Sequence, residues 1–190
     1  MVDLMNLSDQ VDKDFGIAQR RARMRRLGSR FSGRFGDGTL LPLEERRRAL
    51  GAAGGIRLGR RTVPLSSVVG SVGQHDRFDA AFMPLRGASP ERWKRVDRAF
   101  RTGVDLQPVS LYSLDGDYFV EDGHNRVSVA RFHGAEWIDA EVTEFRRPRR
   151  GDRGFRVSWP STEDHSHGRI SMQEHKMWCW LVCIGPETGD

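Results

Sequence analysis

Near the middle of the chain, Glu121-Asp122-Gly123-His124-Asn125-Arg126 gathers two carboxylates, an imidazole, an amide and a guanidinium around one glycine. A strand that ends in Asp-Gly and runs straight into a helix does a definite physical job. Glycine lets the backbone turn tightly, and the first helical amides then point outward without intrahelical partners. Those amides, at the positive end of the helix dipole, suit an anion. Arg126, in the first turn, adds a planar fork for phosphate or carboxylate oxygens, and His124 and Asn125 add hydrogen-bonding groups at the same rim. The expected anion-binding set is therefore Gly123, His124, Asn125 and Arg126. Asp122 works against it, because a carboxylate repels a phosphate unless it caps the helix, holds a metal ion or binds a ligand hydroxyl. Plainer roles stay open beside these: Arg126 paired with Glu121 or Asp122, His124 as a cap, Asp122 as a turn residue, and Ser128 as an exposed side chain.

A second chemistry-bearing group is a run of arginines, Arg20, Arg21, Arg23, Arg25, Arg26, Arg30 and Arg34, with no acid between Phe15 and Gly36. The whole chain has 31 Lys and Arg against 26 Asp and Glu, a formal charge of +5 and a pI near 9.8, which favours polyanionic partners. The run reads either as a solvated helix face or as a contact to DNA or RNA phosphates. Only Phe31 and Phe35 are at hand for base stacking, so such contact is expected to be insensitive to sequence. Toward the C-terminus, His165, His167, His175, Cys179 and Cys183 match no standard zinc spacing, and no metal site is expected.

The same two cysteines cannot make a disulfide framework, which is compatible with a reducing compartment. The longest apolar run, Met177 to Ile184, is far short of the roughly 20 residues of a spanning helix, and no signal-peptide core opens the chain. The expectation is a cytoplasmic protein with no membrane contact.

The elements that must position the motif are legible in part. Residues 1–61 read as an arginine-rich, partly helical extension: a helix from Ser8 toward Leu27, ended by Gly28, then a short helix from Pro42 to Leu50 and a flexible joint at Gly51, Gly54 and Gly55. The first helix has Val11, Phe15, Ala18 and Ala22 at helical spacing, enough to cover a surface but not to form a core. A compact domain is expected over 62–146. It opens with an edge strand at Val63, Leu65, Val68 and Val69, while Gly70 to Arg86 has no clear assignment.

Ser89-Pro90-Glu91 then starts a helix with Trp93, Val96 and Phe100 on one face, exposed pairs Glu91–Arg95 and Asp97–Arg101, and Gly103 at its end. A hairpin follows, Pro108 to Tyr112 and Tyr118 to Val120 around Asp115-Gly116. The motif helix runs to His133 and Gly134, and Trp137 to Phe145 is the last strand. Residues 147–190 read as a polar, disordered tail.

The stretch Tyr118 to Arg131 resembles the signature of ParB-like domains, especially small bacterial proteins that read Asp-Gly-His-His-Arg at this place, and Val63-Pro64-Leu65 and Ile138 to Val142 are similar to flanking strands of that superfamily. The resemblance implies an α+β fold, a small mixed sheet with packed helices of ParB/sulfiredoxin type. It also implies a nucleotide phosphate site at this turn, for CTP, ATP or ADP with Mg2+, in an accessory DNA-associated or regulatory protein. Two alternatives come with it, a small-molecule kinase resembling free-serine kinases and a ParB-like nuclease. Either needs an acid near the ligand, for which Glu121 and Asp122 are the candidates. His124 stands where sulfiredoxins carry a cysteine, so sulfiredoxin chemistry is not expected. His124-Asn125 also stands where partition proteins have Glu-Arg, which removes the glutamate linked to CTP turnover.

Overall fold

The computed structural model of the chain describes residues 4–32 and 38–147, with side chains described at 6–28 and 38–147. These residues form a mixed α+β protein with a six-stranded sheet. The strands are β1 (Leu41–Pro42), β2 (Ala53–Pro64), β3 (Val68–Ser71), β4 (Val109–Leu114), β5 (Asp117–Asp122) and β6 (Trp137–Arg146), in the order β1-β3-β5-β4-β6-β2. The helices are α1 (Leu4–Ser32), α2 (Leu43–Leu50), α3 (Pro90–Arg101) and α4 (His124–Phe132).

The β4–β5 hairpin forms as its turn residues predict. Asp115 and Gly116 both take positive φ, 59° and 88°, the conformation whose twist matches the flanking strands. β4 and β5 lie at the centre of the sheet, with β4 parallel to β6 and β5 parallel to β3. Alternation along β5 sorts its side chains between two layers. Val120 joins Val127 and Ala130 of α4 on one face, and Phe119 joins Leu43 of α2 on the other. Ser89 caps α3 as its sequence predicts, its hydroxyl accepting the Arg92 amide, with Pro90 at the first helical position.

The strand expected to open at Thr62 opens at Ala53, and it is followed by a 3-10 turn at Leu65–Ser67 before a separate strand, β3. The glycines read as a joint lie within this region: Gly51 caps α2 in the left-handed conformation, while Gly54 and Gly55 belong to β2. β2 escapes a hydrophobic reading because it is an edge strand, paired to β6 alone and mostly exposed. Arg57, Arg60, Arg61 and two register shifts blunt its free edge. α1 continues past Gly28 to Ser32. Its apolar stripe does contribute to a core, since Phe15, Ala18 and Ala22 bury against Trp93, Met83 and Val129. Burial there follows from what the stripe meets, an apolar surface on α3 and α4, rather than from its own thin apolar content.

Two side chains read as exposed are buried. Ser128 accepts the Trp93 indole N–H at 2.9 Å, a bond that locks α4 to α3. Asp97 is fully buried, as described below. Residues 148–190, with Cys179, Cys183 and the Trp178 to Ile184 stretch, lie outside the described residues, as does Arg34; of Arg30 only the backbone, within α1, is described. Among the described residues no helix is long and apolar enough to cross a membrane.

Candidate functional site: a cationic cleft at two helix starts

The turn between β5 and α4 is built on Gly123, at φ 95° and ψ 22°. A Cβ there would sit 2.6 Å from Val109 Cγ1, so both the conformation and the packing against β4 require glycine. No side chain caps the helix that follows, which leaves the first amides of α4 for another acceptor.

Around this turn lies a cleft of about 310 Å3. The turn and α4 supply one wall, the first turns of α3 a second, and the loop at Gln74–Phe78 a third. Four arginines line it, Arg77, Arg92, Arg95 and Arg126, against one carboxylate, Asp122. Among the described residues no carboxylate lies within 4.0 Å of the guanidinium of Arg77, Arg92 or Arg95. By contrast, Asp122 is paired with Arg126 at 2.7 Å. The cleft therefore has a clear excess of positive charge at the starts of two helices, an arrangement that suits phosphate or carboxylate oxygens.

The motif residues divide the work differently from their sequence reading. Arg126 Nη1 donates to the carbonyls of Gln107 and Pro108 at 2.5 and 2.7 Å, and its Nη2 donates to Asp122. Most of its donor capacity thus holds the start of β4 against the turn, and the plainer pairing with Asp122 is present. His124 turns inward. Its Nε2 lies 2.6 Å from the Ser71 hydroxyl, its ring stacks on Phe78, and burial pushes its pKa down to about 4, with Asp122 opposing and Arg77 reinforcing the shift. It is neutral near pH 7 and brings no charge to a ligand. Asn125 does face the cleft, and its Oδ1 is buried without a hydrogen-bond partner among the described residues.

Glu121 is not brought to the cleft. It falls on the α2 face of β5, where the Tyr112 hydroxyl donates to it at 3.0 Å, because neighbouring residues of a strand point to opposite faces. Arg77, Arg92 and Arg95 were missed from sequence. Arg92 and Arg95, three residues apart after a strong helix start, carried a usable signal that the Glu91–Arg95 pairing obscured. In the structure Glu91 instead accepts from the Ser89 hydroxyl.

The α1 arginines are dispersed. Arg25 pairs with buried Asp79 at 3.3 Å, and Arg21 lies over the Phe132 ring at 4.9 Å. Arg20 is exposed, and Arg23 and Arg26 line a separate cleft. Among the described residues one group of possible metal ligands, Asp14, Asp97 and His133, occurs at the other end of α4, and Arg101 already pairs with both of its acids.

No family model matches the chain, and no curated protein matches it. Among solved structures, sulfiredoxin from Arabidopsis thaliana aligns with a TM-score of 0.34 at 16% identity, over 44% of this chain and 82% of that one. The mixed α+β class is seen in the chain's own sheet and helices, and the site stands on its own geometry.

Proposed function

We propose that the cleft at the start of α4 binds the phosphates of a nucleotide, such as CTP, ATP or ADP with Mg2+. The observation that carries this is the convergence of Arg77, Arg92 and Arg95, none with a carboxylate within 4.0 Å among the described residues, on the uncapped amides of α4. Asn125 lines the same cleft and adds a side-chain amide to its wall. The resemblance of Tyr118 to Arg131 to ParB-like domains supports the same reading and suggests an accessory DNA-associated or regulatory role. The kinase and nuclease alternatives gain nothing from the geometry, because Asp122 is tied to Arg126 and Glu121 lies on the other face of the sheet.

Calorimetric titration of CTP, ATP and ADP with magnesium tests the proposal. A paired Arg92→Ala, Arg95→Ala variant is expected to bind at least tenfold more weakly, since charge-assisted bonds contribute roughly 1.5–3 kcal/mol each. Wild-type protein that binds none of the three nucleotides defeats the reading.

A further inference from the structure

A second cationic cleft, of about 290 Å3, lies beside the first. Arg23 and Arg26 of α1 form one side of it and Arg86 the other, with Asp76 as its single carboxylate. Among the described residues neither Arg23 nor Arg86 has a carboxylate within 4.0 Å. The two clefts share a wall. In the segment from Gln74 to Ser89, Asp76 and Gly87 line the second cleft, while their chain neighbours Arg77 and Ala88 line the first. Chain neighbours along this segment therefore divide between the two clefts. The segment is also held in place: Asp79 accepts the Ala81 and Met83 amides and pairs with Arg25 of α1.

The geometry points to a path for a chain of successive phosphates, the backbone of single-stranded nucleic acid, running across this shared wall from the Arg92–Arg95 cleft to the Arg23–Arg26–Arg86 cleft. Seven arginines face the combined path against two carboxylates, one of which is already paired within the protein. Two small concave sites, of about 290 and 310 Å3 on either side of a shared wall, suit a flexible strand and not a stiff duplex. Neither cleft exposes an aromatic ring, since Phe78 is buried against His124, so bases have nothing to stack on and the contact is made to phosphates whatever the sequence.

The inference rests on the nucleotide reading for the first cleft only, and titration can separate the two. Fluorescence anisotropy with single-stranded DNA or RNA of about 12 nucleotides is compared between wild type and an Arg23→Ala, Arg26→Ala, Arg86→Ala variant. The variant is expected to lose tenfold or more in oligonucleotide affinity, and its salt slope to fall by about 2, at roughly 0.7 per phosphate contact for single strands. Its affinity for mononucleotides is expected to be unchanged. Arg86→Glu alone serves as a second variant should the triple change disturb folding. The DNA and RNA arms show which source of phosphodiesters is preferred, and either preference is compatible with the path. Unchanged oligonucleotide affinity and slope in both variants overturns it, as does a duplex bound as tightly as the single strand. Oligonucleotide binding that needs these arginines in a protein that binds no mononucleotide sinks the nucleotide reading and leaves the path standing.

Discussion

The two ends of α4 treat charge in opposite ways. At its C-terminal end, His133 caps the helix with its Nε2 2.6 Å from Asp97, while Arg101 reaches both Asp97 and Asp14. Arg101 there has two acids and His133 a hydrogen bond to one of them, and α1, α3 and α4 are tied together by the arrangement. At the N-terminal end, four arginines face one acid and the helix amides have no cap. A chain that can neutralise buried charge within itself, and does so one helix length away, leaves the other end electropositive and open. Asp97 Oδ2 and Arg101 Nε are buried there without a hydrogen bond among the described residues, so the contrast is one of charge: cations outnumber acids at Gly123 and not at His133, which is the physical reason for looking for an anion at Gly123.

Breaking the closed end is expected to give the largest effect. Asp97 is fully buried, and burial raises its pKa even though His133 and Arg101 favour its charged form. Asp97→Ala leaves His133 without its acid and Arg101 with Asp14 alone, a loss of up to about 3–5 kcal/mol, or on the order of 10 °C in Tm for a chain of this size. Thermal melts and urea titration measure it. A loss below about 1 kcal/mol would show the network to be incidental to stability.

The second test uses pH at the open end. His124 titrates near 6.5 when unfolded and at about 4 when folded, so between those values the unfolded chain holds the extra proton. The stability associated with a neutral His124 is thus fully present above pH 6.5 and is lost as pH falls toward 4, by about 3 kcal/mol at 1.36 kcal/mol per pKa unit. Asp97 acts in the other sense, its raised pKa making its own contribution fall as pH rises. Comparing wild type with His124→Gln at each pH isolates the histidine. Parallel stability curves from pH 7 to pH 4 would mean that His124 is not held neutral by the fold.

What was legible in the sequence follows the range of the interactions. The Asp115-Gly116 turn, the Ser89-Pro90 start and the Gly123 turn are decided by a few neighbouring residues, and all three form where they are read. β2 was only partly legible, because an edge strand paired on one side carries little apolar signal. The Gly70 to Arg86 stretch resisted assignment because its shape depends on distant partners. Phe82 takes a positive φ of 58°, stabilised by Asp79 and by Arg131, whose guanidinium lies over the Phe82 ring. That loop carries Arg77 of one cationic cleft and Arg86 of the other, so one wall of each was hidden with it. The glycine of the site was visible in the sequence, and the arginines opposite it needed the tertiary structure.

The smallest of these effects on stability, and the one that bears most on the contrast, concerns Arg126. Its three acceptors are the carbonyls of Gln107 and Pro108 and the carboxylate of Asp122. Replacing it by alanine leaves two backbone carbonyls and an acid without their donor, which costs about 1.5–3 kcal/mol. Arg126→Lys is expected to recover only part of this, because an ammonium cannot reproduce the planar fork that reaches both carbonyls and the acid. If Arg126 belongs to the internal network, its loss weakens nucleotide binding less than the loss of Arg92 and Arg95, whose guanidinium groups have no carboxylate within 4.0 Å among the described residues. Melting curves and calorimetric titrations on the same variants read the two effects together. An Arg126→Ala protein that melts like wild type yet binds nucleotide tenfold or more weakly would reverse the assignment, placing Arg126 on the ligand and making its bonds to Gln107, Pro108 and Asp122 ones that binding exchanges for phosphate oxygens.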